Sequence, residues 1–222
     1  MTVWRTAMDR YVVPLLPDRW RASDWVVHAE PVHWLTRALV TKVSRDGVHL
    51  TIDVVVQFLA VPRTYWVLDD SIQLGRGNQR WVTPATVDEA VPVMDEVAGL
   101  AQEEALPFFD RRATMDGRLT YLSDRVAELD ARLGDGGWQD VNLDEELAYV
   151  HLLRGDLAEA FIAANWVDRA AQADASPHAV QTRDRVLQVM AVARDDLDAA
   201  VSVLRDQATH TAQALGLSAF AA

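Results

Sequence analysis

The chain has 222 residues and no cysteine, which excludes disulfide bonds, thiolate metal sites and cysteine nucleophiles. Its formal net charge is −12, and residues 83–222 carry 25 Asp and Glu against 11 Arg. An acidic half repels phosphate backbones, so we expect no nucleic-acid binding there; the acidity indicates either solubility or a face for a basic protein partner.

The N-terminal residues and the overall hydropathy predict where the protein resides. Residues 1–11 include Arg5, Asp9 and Arg10 and form no uninterrupted apolar run, so no signal peptide is predicted. No segment approaches the roughly 20 apolar residues that a membrane span needs. We therefore expect a cytoplasmic protein with no membrane association.

The first part of the chain predicts a short helix over residues 2–16 and then a sheet. Residues 48–60 alternate so strictly that seven same-parity positions are apolar, which predicts a long central strand with one apolar and one mixed face. Further strands are predicted over residues 24–30, 33–43 and 64–74. Short turns between them favour an antiparallel sheet of three or four strands.

After residue 83 the apolar period becomes helical. Thr86 and Glu89 form a capping-box pattern, and the apolar stripe that follows predicts a helix that covers the apolar face of the central strand. Pro92 either kinks this helix or begins it. The remaining predicted helices span residues 118–133, 143–154, 156–173, 177–194 and 195–215.

The glycine-rich segment 134–137 is the clearest break in the chain and predicts a domain boundary. We therefore predict an α+β fold: an α+β domain over residues 1–133, with an antiparallel sheet covered by helices, and an all-α helical-hairpin subdomain over residues 138–222. Residues 154–160 resemble residues 194–200 at a spacing of 40. The first of these hairpins resembles a tetratricopeptide repeat at Leu147, Ala148, Gly155, Asp156 and Ala160. Either this pair only packs on the first domain, or it forms a concave peptide-binding surface.

The candidate chemical groups are sparse. No histidine stands in a close metal-ligand spacing, and His33 and His49 either converge across the sheet or are ordinary surface histidines. Asp69 and Asp70 are adjacent on a predicted strand and must point to opposite faces. The pair at positions 195 and 196 is predicted to cap a helix N-terminus.

The best small-molecule hypothesis is a cationic and aromatic patch for an anionic or planar ligand. Residues 75–80 contain two glycines and two arginines but lack the lysine and hydroxyl of a phosphate-binding loop, so a turn is predicted. The candidate ligand-binding residues are Trp66, Arg76, Arg80, Trp81 and His49. No catalytic residue, metal ligand or cofactor is predicted.

Residues 5–130 resemble an uncharacterised bacterial family, known only as a domain of unknown function. The likeness is carried by Leu74-Gly75-Arg76, by Trp81, by the helix from Val87 and by the segment Ala105-Leu106-Pro107-Phe108-Phe109. It implies the same order of helix, antiparallel sheet and helix. Where the family has a tight early glycine turn, this chain has Pro17-Asp18-Arg19, and the resemblance implies no active-site residue.

Three functions follow from these patterns. The first is a non-enzymatic protein-interaction or regulatory protein, in one version an immunity-like protein that masks a basic effector. The second is a small-molecule binder or enzyme that uses the Trp- and Arg-rich sheet region. The third is a homodimeric scaffold in which the mixed face of the sheet pairs with its copy.

Overall fold

The computed structural model describes residues 2–77, 79–134 and 140–221. The chain forms two compact units. The first contains the chain up to Gln57, Arg63–Ala113 and the residues from Ala212 onward, and the second contains Phe58–Pro62 and Thr114–Thr211. None of the helices in the described residues is long and apolar enough to cross a membrane.

The first unit begins with helix α1, Thr2–Ala7, which continues as a π-helical turn, Met8–Val12, and a 3-10 turn, Val13–Leu15. Its strands are β1 Arg19–Ser23, β2 Val26–Glu30, β3 Leu35–Val43, β4 His49–Phe58, β5 Ser71–Gln73 and β6 Trp81–Val82. Helix α2, Val91–Leu100, leads through a π-helical turn, Ala101–Ala105, into α3, Leu106–Arg112.

The sheet has six strands, in the order β1-β2-β3-β4-β5, with β6 also paired to β4. Strand β1 pairs with β2, β2 pairs with β3, and β4 pairs with both β5 and β6, all in antiparallel register. The α+β prediction is confirmed, and the sheet exceeds the predicted three or four strands. Strand β1 and the two-residue β6 were missed because short edge strands carry too little alternation to be recognised.

The main core lies on the apolar face of β4. Leu50, Ile52, Val54 and Val56 join one buried cluster with residues of the N-terminal helical turns and of α2 and α3. The predicted helical cover of the central strand is therefore present. The helix begins at Val91, which places Pro92 in its first turn, where a missing amide costs no internal hydrogen bond.

The mixed face of β4 is also buried, at Asp53, Val55 and Gln57. Only Ser71–Gln73 of the predicted strand 64–74 pairs with β4, so most of that prediction is wrong. The preceding loop packs Trp66 and Leu68 against a small apolar cluster around Val55. The amide of Val67 donates to the side-chain oxygen of Gln57 (2.9 Å) rather than to a strand carbonyl.

The second unit consists of helices that match the predicted spans closely. They are α4 Met115–Leu133, α5 Val141–Arg154, α6 Leu157–Asp174, α7 Pro177–Asp195 and α8 Leu197–Ala214, the last of which runs into the first unit. Side-chain caps start four of them: Thr114 for α4, Asp140 for α5, Ser176 for α7 and Asp196 for α8. Gly155 ends α5 in the left-handed region at φ 81°, as a helix C-terminus commonly requires.

The division between the units differs from the predicted domain boundary. Helix α4 belongs to the second unit, because Arg118 of α4 donates to Glu146 of α5 and Asp116 pairs with Arg154. The chain from Ala212 onward belongs to the first unit. Residues 135–137 of the predicted boundary lie outside the described residues.

Candidate functional site

Two of the five candidate ligand-binding residues line one cavity at the end of the sheet. His49 opens β4, and Arg80 directly precedes β6, which pairs with β4 in the registers His49 to Val82 and Leu50 to Trp81. Continuing this register by one residue sets Arg80 beside Thr51. The cavity measures about 220 Å³ and is lined by Lys42, Val43, Ser44, His49, Leu50, Thr51 and Arg80.

Carboxylates balance part of the positive charge around this cavity. The Lys42 ammonium group lies 2.7 Å from a carboxylate oxygen of the buried Asp53. Asp46 accepts a hydrogen bond from Ser44, and this bond is the main reason that the pKa of Asp46 is lowered. Arg80 is exposed and has no ion pair with the described residues, so it is the cation most available to a ligand.

The other candidate residues lie elsewhere. Trp81 is buried in the main core, and its indole nitrogen donates to Glu96 at 2.8 Å. Trp66 packs against the opposite face of the sheet, beside Val55. Arg76 is exposed on the glycine loop and does not line the cavity. The structure therefore brings together His49 and Arg80 but no aromatic ring.

The glycine loop is bound to carboxylates, which agrees with the predicted turn. The amide of Gly75 donates to Glu104 at 2.9 Å, and the Gln79 side chain donates to Glu96 at 3.1 Å. A phosphate group would compete with these acidic side chains for the same donors. Asn78, part of the predicted turn, lies outside the described residues.

The remaining candidate groups have structural roles. His33 and His49 do not converge. His49 opens β4 beside the end of β3, whereas His33 lies before the start of β3, at the opposite end of these two strands. Asp70 is buried beside Arg112 whereas Asp69 is exposed, but both precede β5 and lie in irregular chain, so strand parity does not explain the difference. The Asp196 carboxylate accepts the amide of Ala199 (3.0 Å) and caps α8. In the described residues, no three His, Asp or Glu side chains are grouped to hold a metal ion.

Helix α6 presents two large apolar side chains to solvent, a feature that the sequence prediction missed. Ile162 is 43% exposed and Trp166 is 40% exposed, and their spacing of four places them on one face. The buried face consists of Val167 and five alanines, Ala160, Ala163, Ala164, Ala170 and Ala171. Both stripes can be seen in the sequence. The alanine stripe and the Trp–Ile stripe are both apolar, however, and periodicity alone does not decide which of them faces inward.

One end of the helical unit is acidic. The Arg194 guanidinium lies 5.7 Å from the centre of the Phe161 ring, so the end of α7 meets the start of α6. Asp116 pairs with Arg154, which brings the start of α4 to the end of α5. The carboxylates at these helix ends form the acidic end: Asp116, Asp156, Glu159, Asp195, Asp196 and Asp198. Glu159 lies one turn before Ile162, so the acidic end continues into the apolar stripe of α6.

Comparison with protein-family models, with curated proteins and with solved structures found no match. The resemblance to an uncharacterised bacterial family and the likeness of one helix pair to a tetratricopeptide repeat therefore stay predictions.

Proposed function

We propose that this protein is a non-enzymatic interaction protein that binds a basic protein partner through its helical unit. The contact surface, called the α6 surface, consists of Ile162 and Trp166, and the acidic end borders it. The observation that carries the proposal is the inverted packing of α6, with alanines buried and the large apolar side chains of Ile162 and Trp166 exposed. An immunity-like or regulatory protein that masks a basic effector is one version of this function.

The energetics of protein interfaces favour this interpretation. A few large side chains carry most of the binding energy in known interfaces, and tryptophan is enriched among them. Truncating such a residue to alanine costs about 2 kcal/mol or more. Alanines on the inner face let α6 pack closely against α5 and α7, whereas nothing in the packing of α6 requires tryptophan on the outer face.

The acidic end supplies the expected charge preference. Its six carboxylates outnumber the two guanidinium groups there, those of Arg154 and Arg194, which leaves an excess of negative charge at this end. Such a surface accelerates the association of a positively charged partner, and salt screens the attraction over about 8–10 Å. Binding should therefore weaken as the salt concentration rises.

The test compares three forms of the 222-residue chain as bait in a host lysate, eluted with rising salt and analysed by mass spectrometry. The wild type should capture a basic protein in stoichiometric amount, and Trp166→Ala should lose it. Tyr65→Ala is the matched control, because Tyr65 is an exposed aromatic residue (63%) of the first unit. If wild type and Trp166→Ala capture the same proteins in the same amounts, the proposal is wrong.

Charge reversal tests the acidic end separately. The double substitution Asp195→Arg and Asp198→Arg should lower the salt concentration at which the partner elutes. Asp88→Arg is the control, because Asp88 is exposed in the first unit.

A captured second copy of the chain itself would favour the homodimeric scaffold. Sedimentation velocity of the purified protein would then detect the dimer.

A second candidate function rests on the cavity that contains His49, Arg80 and Lys42. Its size of about 220 Å³ suits a small anion such as phosphate or a short carboxylate. Thermal shift with these anions should show stabilisation of the wild type and none of Arg80→Ala. Arg76→Ala, which removes an exposed arginine outside the cavity, should respond like the wild type, and equal shifts in all three chains would refute the site.

A further inference from the structure

The segment 217–221, here called the tail segment, runs beside the stretch that follows β2. Val32 and Phe220 form a parallel β-bridge, and the amide of Ala221 donates to the carbonyl oxygen of Val32 at 2.7 Å. The Nδ1 atom of His33 lies 2.9 Å from the carbonyl oxygen of Ala221 and donates to it, because a carbonyl only accepts. The main chain of the tail segment is therefore held by one hydrogen bond to the main chain of Val32 and one to the His33 side chain, neither of which depends on the tail's own side chains.

Two alternate side chains of the tail segment make specific contacts. The Phe220 ring packs edge-on against the ring of Trp34, with 5.0 Å between the ring centres. The Ser218 hydroxyl group donates to Glu30, and Arg21 lies 3.4 Å from the hydroxyl oxygen. In an extended segment residues two apart share a face, and Ala219 between them is exposed. A main-chain hydrogen bond combined with side-chain contacts two residues apart is how proteins commonly recognise an extended peptide.

The polar contacts of Ser218 are arranged for recognition of a hydroxyl group rather than for catalysis. The single hydroxyl proton of Ser218 goes to Glu30, so His28 must donate from Nε2 in its 3.4 Å contact with the same oxygen. A histidine that donates to a serine oxygen cannot remove its proton, which a nucleophilic serine requires. Within the described chain, the other ring nitrogen of the fully buried His28 has no hydrogen-bond partner.

We propose that the surface of the first unit beside the end of β2 is a peptide-binding groove for a segment of the pattern Ser-x-Phe, and that the tail segment occupies it within the same chain. The ligand in trans is a protein partner that carries such a segment. His28, Glu30 and Arg21 read the hydroxyl group, Trp34 contacts the phenyl ring, and Val32 supplies the main-chain bond. The groove belongs to the first unit and does not depend on the α6 surface.

Occupation by the tail segment makes a competition test possible. Two residues separate the end of α8 from the tail segment, and a short tether gives an effective concentration in the millimolar range. A free peptide must exceed that concentration to displace the tail segment from the wild-type chain. Weakening the tail segment by Phe220→Ala should therefore raise the apparent affinity for the native peptide by about tenfold or more.

The experiment measures fluorescence anisotropy of the labelled pentapeptide Leu-Ser-Ala-Phe-Ala with the wild-type chain and with Phe220→Ala. The expected result is weak binding to the wild type and at least about tenfold tighter binding to the variant. A control peptide with alanine in place of its phenylalanine should bind both chains weakly. Trp34→Ala combined with Phe220→Ala should abolish the gain.

Two results would overturn the groove. One is equal binding of the native and control peptides to Phe220→Ala. The other is equal affinity of wild type and Phe220→Ala for the native peptide while circular dichroism shows both chains folded. Ser218→Ala is a second variant that weakens the tail segment through its polar contacts, and it should raise the peptide affinity in the same direction.

Discussion

Replacing Asp144 by asparagine should stabilise the protein at neutral and alkaline pH. Asp144 lies in the first turns of α5 and is only 3% exposed, and one of its carboxylate oxygens has no hydrogen-bond partner among the described residues. Burial, with a smaller contribution from the charge of Asp140, raises the pKa of Asp144 from 3.8 to about 7. Asparagine keeps the shape of the side chain and removes the ionisable group.

The sign and size of the effect follow from this pKa. Between about pH 4 and 7 the folded chain holds a proton on Asp144 that the unfolded chain releases, so folding stability falls as the pH rises through this window. Raising the pKa from 3.8 to about 7 corresponds to about 4 kcal/mol of stability lost above pH 7. At about pH 5.5 only about half of this penalty is present, so the benefit of Asp144→Asn should be about 2 kcal/mol larger at pH 8.

The assay is urea unfolding followed by far-UV circular dichroism at about pH 5.5 and pH 8 for wild type and Asp144→Asn. Asp124→Asn serves as the control, because Asp124 is exposed on α4 and its replacement should change the unfolding free energy by less than about 0.5 kcal/mol at either pH. A loss of stability at pH 8, or the same change at both pH values, would contradict the reasoning.

Three further predictions concern the stability of each unit. Gly75→Ala should destabilise by about 1–3 kcal/mol, because φ is +83° and the added Cβ would meet the side chain of Gln79 at 2.6 Å; Gly77→Ala, with φ +66° and open space, should cost less in the same denaturation assay. Glu145→Ala should cost about 3–5 kcal/mol, because the Arg185 guanidinium group donates two hydrogen bonds to Glu145 and would stay half-buried without a carboxylate partner. Arg125→Ala, which breaks an exposed ion pair, should cost less than about 1 kcal/mol. His28→Asn should reduce the loss of stability on acidification, because burial lowers the pKa of His28 below 6.5 and the unfolded chain therefore binds its proton first as the pH falls; an unchanged pH profile between pH 7 and 5 would argue against this.

The positions of most elements could be predicted because they depend on local patterns. The alternation over residues 48–60 predicts β4, His49–Phe58, since a strand is the only regular structure that places seven such residues on one face. The helices of the second unit begin and end near capping residues such as Ser176 and Gly155, whose conformations are decided by their own backbone and neighbours.

Only two of the five residues of the predicted cationic and aromatic patch lie together in the structure. His49 and Arg80 share a cavity because β6 pairs beside the start of β4, and both residues lie close to that pairing. Trp66 lies on the other side of the sheet, because the loop that carries it crosses one face of the sheet instead of extending β5. Parity along a strand predicts a face only while the strand continues, and residues 64–70 are irregular.

The sequence by itself determined the α+β class, the central strand, the helical cover and the acidic balance of the second half, because each depends on composition or on a period of a few residues. Only the tertiary structure decided that Trp166 faces solvent and that Asp144 is buried, because the face of α5 or α6 that is buried depends on where the neighbouring helices pack. It also decided that Ser218 meets Glu30, 188 residues earlier in the chain. Contacts between such distant residues follow from the packing of whole elements, which no local pattern encodes.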